Sequence, residues 1–223
     1  MKQVADFLVK IVLFVLICLV FWWSCDVPFS VTVNLIVMVG GVLLTFPLVW
    51  IGRSFLIRNP TPGRAAWITT FIHFLLGFTF GVPMIRAIVT GQNHALWDLP
   101  VPTAIGLPMV IVTGAAFAMT VLNLALKGFG APFFISLSRK LAIDWLYAWT
   151  RNPMVLAVLA FLLSLGIWLQ SGAFLLWILI LFAPALLFFI KVYEERELEI
   201  RFGQSYLEYK SRTPMLFPRR PIG

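Results

Sequence analysis

Residues 153–190 read PMVLAVLAFLLSLGIWLQSGAFLLWILILFAPALLFFI, without a single Asp, Glu, Lys or Arg. Two apolar runs, Pro153–Leu169 and Ala173–Ile190, meet at the short turn Gln170-Ser171-Gly172. Segments of this apolarity read as two antiparallel membrane helices, since a span needs about 20 mostly apolar residues. At 17 and 18 residues the runs are short, and a hairpin that does not fully cross is the alternative. Four further runs precede them: Phe7–Trp23, Val31–Ile51, Ala65–Val89 and Thr103–Leu126. The whole chain has the same character. Of 223 residues 61% are hydrophobic and 12% charged, with mean hydropathy +0.97. Soluble domains average about 25% charged residues. A soluble enzyme, a disordered chain and a disulfide-stapled domain are excluded. The predicted fold is all-α: a polytopic membrane protein with about six transmembrane helices and a C-terminal cytoplasmic amphipathic helix. It divides into a four-helix region, 1–126, and a region 127–223 containing a loop, the 153–190 hairpin, a helix and a tail. The first run lacks a small-residue cleavage site and reads as a retained span.

The formal net charge is +8. Six spans place sixteen of the seventeen Lys and Arg residues on one side, leaving Arg86 alone on the other. That asymmetry puts both termini in the cytoplasm and makes a prokaryotic cytoplasmic membrane the expected location. The excess answers to orientation and anionic headgroups, not nucleic acid. Cys18 and Cys25 form no disulfide framework, and no His-x-x-His or Glu-x-x-His spacing suggests a metal. Lys127-Gly-Phe-Gly130 lacks the third glycine and the βαβ setting of a dinucleotide loop. Gly77 and Gly81 have the spacing of close helix packing, read here as internal. His73 and Asn123 read as neutral polar groups hydrogen-bonded to a neighbouring helix, and His94 stands in an interior loop.

Concentrated polar chemistry flanks the hairpin. Before it stands Tyr147-Ala-Trp-Thr-Arg-Asn-Pro153, and after it Glu194-Glu-Arg-Glu-Leu-Glu-Ile-Arg-Phe-Gly-Gln-Ser-Tyr-Leu-Glu-Tyr209. Arg151 lies 20 residues before Ser171 and Lys191 lies 20 after it. Two antiparallel helices therefore return Lys191 to the level of Arg151, with Glu194 and Glu195 about one turn beyond. Steps of three and four put Val192, Glu195, Glu199, Phe202, Tyr206 and Tyr209 on one helix face. Carboxylates on an aromatic face need a cation, either a ligand or Arg151. A solvated acidic helix with a surface Glu197–Arg201 pair is the competing reading.

Together these two segments resemble the integral-membrane methyltransferases, including isoprenylcysteine carboxyl methyltransferase and the phospholipid N-methyltransferases. The likeness runs over roughly Lys127–Pro218. It implies S-adenosylmethionine as cofactor and a lipidic or membrane-partitioned acceptor, either a carboxylate or an amine. Arg151, Asn152 and Pro153 fall on the family's Arg-His/Asn-Pro motif, Glu194 and Glu195 on its Glu-Glu motif, and Tyr206 and Tyr209 on its tail tyrosines. Tyr147 and Arg201 join them as expected cofactor contacts. Arg151, as a carboxylate clamp, and Glu195 are the expected catalytic residues. Three positions depart from the pattern: Trp145 and Ala157 stand where glycines are usual, and Val155 where a tyrosine is usual. Two rival readings stay open. One is a nicotinamide-dependent membrane reductase of the sterol-reductase type, for which Lys210, Arg212, Arg219 and Arg220 could hold phosphate. The other is a non-enzymatic membrane subunit.

Overall fold

A computed structural model of the chain describes residues 2–93, 97–128 and 141–220. His94, Gly130, Arg139 and Lys140 lie outside them. The described residues form eight helical segments without a strand: α1 (Lys2–Asp26), α2 (Val31–Arg58), α3 (Pro62–Gly91), α4 (Thr103–Gly128), α5 (Leu146–Trp149), α6 (Pro153–Trp168), α7 (Gly172–Phe202) and α8 (Gln204–Arg212). Five of them, α1, α2, α3, α4 and α7, are long and apolar enough to cross a membrane. Trp22, Ile36, Val112 and Ile180 point outward and are exposed, the arrangement expected when lipid is the solvent. At 16 residues α6 is about 24 Å long, shorter than a hydrocarbon core of about 30 Å. Its partner α7 is the opposite case. It continues past Ile190 through the charged stretch to Phe202, because Glu, Arg and Leu are good helix formers and nothing before Gly203 stops them.

Prolines explain most irregularities within these helices. Proline lacks an N–H and leaves the carbonyl four residues earlier without its partner. Pro47 follows an interruption of α2 at Leu44. Pro83 follows a wide π-turn at Gly77–Gly81, and Pro184 follows another at Ile178–Phe182. A third π-turn, Ile190–Glu194, has no proline behind it. Arg53 of α2 donates to the Val192 carbonyl inside that turn at 2.6 Å. Of the two glycines expected to pack internally, Gly81 lies against the Phe21 ring of α1.

Helix α7 is central. Ile178, Ile190 and Tyr193 are fully enclosed, the Trp177 indole donates to the Met38 carbonyl of α2, and the Tyr193 hydroxyl pairs with Thr69 of α3 at 3.0 Å. At the far end of the hairpin, Ser171 caps α7 by accepting from the Phe174 amide. The loop 97–101 closes over this turn: Gly172 donates to the Trp97 carbonyl and Leu99 to the Gln170 carbonyl.

Two intramembrane side chains differ from expectation. His73 bonds to its own helix, through Nδ1 and the Thr69 carbonyl, and not to a neighbour. Asn123 is enclosed, and neither of its side-chain polar atoms has a partner among the described residues. Arg86, counted above as the single basic residue on the far side, is buried. Its Nε donates to Asn34, its Nη1 to the carbonyls of Ser24 and Val27, and its guanidinium lies 4.7 Å from the Phe29 ring centroid. It clamps the end of α1 to the start of α2, where a cation also suits the carbonyl-rich helix terminus. Arg86→Met strands these acceptors, so we expect a loss of at least about 2 kcal/mol. Denaturation in mixed micelles measures it, and an unchanged midpoint would show the clamp to be dispensable.

Candidate functional site

Between α3, α4, α6 and α7 lies a cavity of about 200 Å³. Its wall is apolar along Phe117, Val155, Val158, Leu186 and Phe189. Its polar groups come from His73, Arg151 and the Glu194–Arg201 stretch, with Tyr147, Tyr206 and Tyr209 at one end.

Two distant segments meet here. Arg151, immediately before α6, sends Nη2 to Glu195 of α7 at 2.5 Å. Its Nη1 donates to the carbonyls of Lys210 and Thr213. The neighbours of Arg151 bind the tail in the same way. The Arg151 amide donates to the Pro214 carbonyl, the Thr150 hydroxyl and Asn152 Nδ2 both donate to the Met215 carbonyl, and the Arg219 amide donates to the Trp149 carbonyl. Pro153 fits the first turn of α6, where no amide hydrogen is needed. Residues 149–153 are thus a dock for the C-terminal tail. The guanidinium expected to clamp an acceptor carboxylate has both Nη groups engaged by the chain itself, while its buried Nε has no partner among the described residues.

The stretch after the π-turn does not present the expected stripe. A π-turn carries one extra residue and so rotates everything beyond it by about 100°. The cavity face of α7 becomes Ile190, Glu194, Glu197–Leu198 and Arg201, with Glu195 at its edge. Glu199 and Phe202 fall away from it. Gly203 then turns the chain at φ +55°, a conformation that favours glycine. This bend, which helical periodicity cannot show, folds α8 back so that Tyr206 is buried against the site.

The carboxylates divide by partner. Glu195 accepts from Arg151 and from Lys210 at 2.7 Å, and Lys210 also reaches Glu199. Glu197 pairs with Arg201 at 2.7 Å, with side chains 3% and 12% exposed, so the pair read as a surface one is buried. Glu194 lines the cavity with no hydrogen bond or ion pair among the described residues. The Lys210 ammonium is opposed by partial burial, but the Glu195 and Glu199 carboxylates outweigh this and hold its pKa above the usual lysine value. Its engagement takes one residue from the phosphate-binding set that a reductase would use.

Burial pushes the hydroxyls of Tyr147, Tyr206 and Tyr209 above the ordinary phenol range, reinforced by Glu194 at Tyr147 and by Glu195 at Tyr206. All three remain protonated donors. Tyr209 donates to the Tyr147 carbonyl at 2.6 Å, whereas the Tyr206 hydroxyl has no partner among the described residues. Val155 lines the cavity, so the missing tyrosine leaves an apolar wall there. Trp145 takes φ +55° and ψ −119°, close to the backbone of Gly203. Such geometry in a non-glycine residue costs about 1–3 kcal/mol, which accounts for a glycine being usual at this place. Sequence reading missed Glu197 and His73 as cavity residues. The first was hidden by the π-turn, and the second lies far away in the chain.

Arg151→Ala should free the tail. Breaking a buried pair weakens docking by more than about 1.4 kcal/mol, so trypsin should cut after Lys210 and Arg212 at least about tenfold faster. Unchanged cleavage would mean that the tail docks without Arg151.

No curated protein and no solved structure matches the chain. Residues 101–205 match the model of the phospholipid methyltransferase family. The match begins before the Lys127 limit of the resemblance and takes in α4, which forms one wall of the cavity. Together with the helical spans, it is consistent with an integral-membrane methyltransferase family over residues 101–205.

Proposed function

We propose that this chain transfers a methyl group from S-adenosylmethionine to a membrane-partitioned acceptor in the cavity between α3, α4, α6 and α7, facing the cytoplasm. The observation that carries this reading is Glu194, a carboxyl group without a partner among the described residues, in a cavity whose other charged side chains, Arg151, Glu195, Glu197 and Arg201, are paired with one another. Such a carboxyl group either takes up a proton or meets a bound cation that favours its charged form. When bound, the cofactor supplies a cationic sulfonium carrying the transferable methyl group.

The residues present fit that group. Glu194 meets positive charge, Tyr206 offers a free hydroxyl donor, and the tyrosine cluster supplies ring faces. Arg151, Asn152 and Glu195 hold the tail against the site and so position these groups. Methyl transfer of this kind depends mainly on alignment. The apolar side of the cavity suits an acyl or isoprenoid chain.

For the acceptor we favour an amine over a carboxylate. Glu194, Glu195 and Glu197 all line the cavity, and Arg151, the natural carboxylate clamp, is already engaged. A lipid ammonium finds a counter-charge there and a carboxylate finds repulsion.

Calorimetric titration with S-adenosylhomocysteine tests the reading. We expect one site per chain, weakened about tenfold or more in Glu194→Gln, or about 1.4 kcal/mol. No binding, or saturable binding of a reduced nicotinamide dinucleotide phosphate in its place, would overturn it.

A further inference from the structure

His73 is the only histidine among the described residues, and it stands on α3, outside the stretch that matches the family. It lies eleven residues into the helix, about 16 Å from its start. It nevertheless lines the same cavity as Glu194 and Tyr206.

The hydrogen bonding of the ring fixes its tautomer. Nδ1 sits 2.8 Å from the Thr69 carbonyl, which can only accept. Nδ1 therefore carries the hydrogen, and in the neutral ring the lone pair is on Nε2. Nε2 has no partner among the described residues. The ring orientation is held twice. The Phe189 ring packs against it edge-on at 5.5 Å, and Thr69 is tied to α7 through Tyr193. A fixed imidazole with a free lone pair thus borders a cavity that also holds a free carboxylate.

We propose that Nε2 of His73 is the base that takes the proton from an amine acceptor, a role that rests on the methyltransferase reading above. An ammonium nitrogen has no lone pair and cannot attack. Glu194 supplies the counter-charge that holds it, and Nε2 accepts its proton. The freed nitrogen then forms a bond to the methyl carbon of a sulfonium donor as the carbon–sulfur bond breaks, and the electron pair of that bond stays on sulfur as a thioether. Glu197 is less suited to accept the proton because Arg201 holds it, and Glu195 because Arg151 and Lys210 do.

The test uses the full chain in nanodiscs containing phosphatidylethanolamine. In wild-type protein, nitrogen-15 spectra of the two histidines, assigned with His94→Gln, should show His73 as the Nδ1–H tautomer with S-adenosylhomocysteine bound. His73→Gln should bind S-adenosylhomocysteine within about twofold of wild type yet lose about a hundredfold or more in methyl transfer, the scale of a general base. Free imidazole should restore part of that loss. A His73 protonated at Nε2 overturns the proposal, as does turnover within threefold of wild type or a parallel loss of S-adenosylhomocysteine affinity. If wild-type protein binds no S-adenosylhomocysteine, the methyltransferase reading fails and this role falls with it. If wild type binds and turns over while His73→Gln does so equally well, only the role of His73 fails.

Discussion

The guanidinium of Arg151 joins the parts of the molecule that would otherwise lie apart. It bonds Glu195 on α7 and the carbonyls of Lys210 and Thr213 in the tail. It shares the seating of α8 and the tail with Thr150, Asn152 and the Tyr209 hydroxyl. A buried ion pair does not by itself stabilise a fold much, since desolvation offsets attraction. What this one contributes is geometry. Five donated hydrogen bonds from residues 150–152 reach the tail between Lys210 and Met215, so that Tyr206 and Tyr209 are set at the mouth of the cavity. Lys210 joins the same network from the other side of Glu195.

The charges of the cavity follow from that arrangement. Once Arg151 and Lys210 are committed to Glu195, and Arg201 to Glu197, Glu194 is left facing the open space alone. The three cations that would suit an anionic substrate are therefore occupied within the protein, and the residual demand is for positive charge. The membrane side of the same cavity is built of Phe117, Val158 and Leu186, which make no polar demand at all. A ligand with a cationic head and an apolar body satisfies both halves.

Much of this was legible in the sequence, and the limits have physical causes. The membrane helices follow from apolar length, which depends only on composition. The approach of Arg151 to Glu195 follows from equal arms about Ser171, because helix rise is constant. The facing of the acidic stretch was not legible. A stripe drawn at 3.6 residues per turn assumes one unbroken helix, and the π-turn at Ile190–Glu194 and the left-handed Gly203 break that assumption twice. The first buries Glu197 and turns Glu199 away, and the second brings Tyr206 inward. The contribution of His73 is a contact between α3 and α7 across more than a hundred residues, which no local pattern encodes. The cation Arg86 was read as a marker of topology and is a buried clamp, because Asn34 and the carbonyls of Ser24 and Val27 stand where α1 ends.

The central claim is that the Arg151 segment, the end of α7 and the docked tail form one ligand site. Hydrogen–deuterium exchange on the protein in nanodiscs, with and without S-adenosylhomocysteine, addresses it most directly. The account predicts slower exchange together at residues 147–152, 194–201 and 203–213 when the ligand is present, with α1 unchanged. Protection confined to one of these segments, or found only elsewhere in the chain, would contradict it.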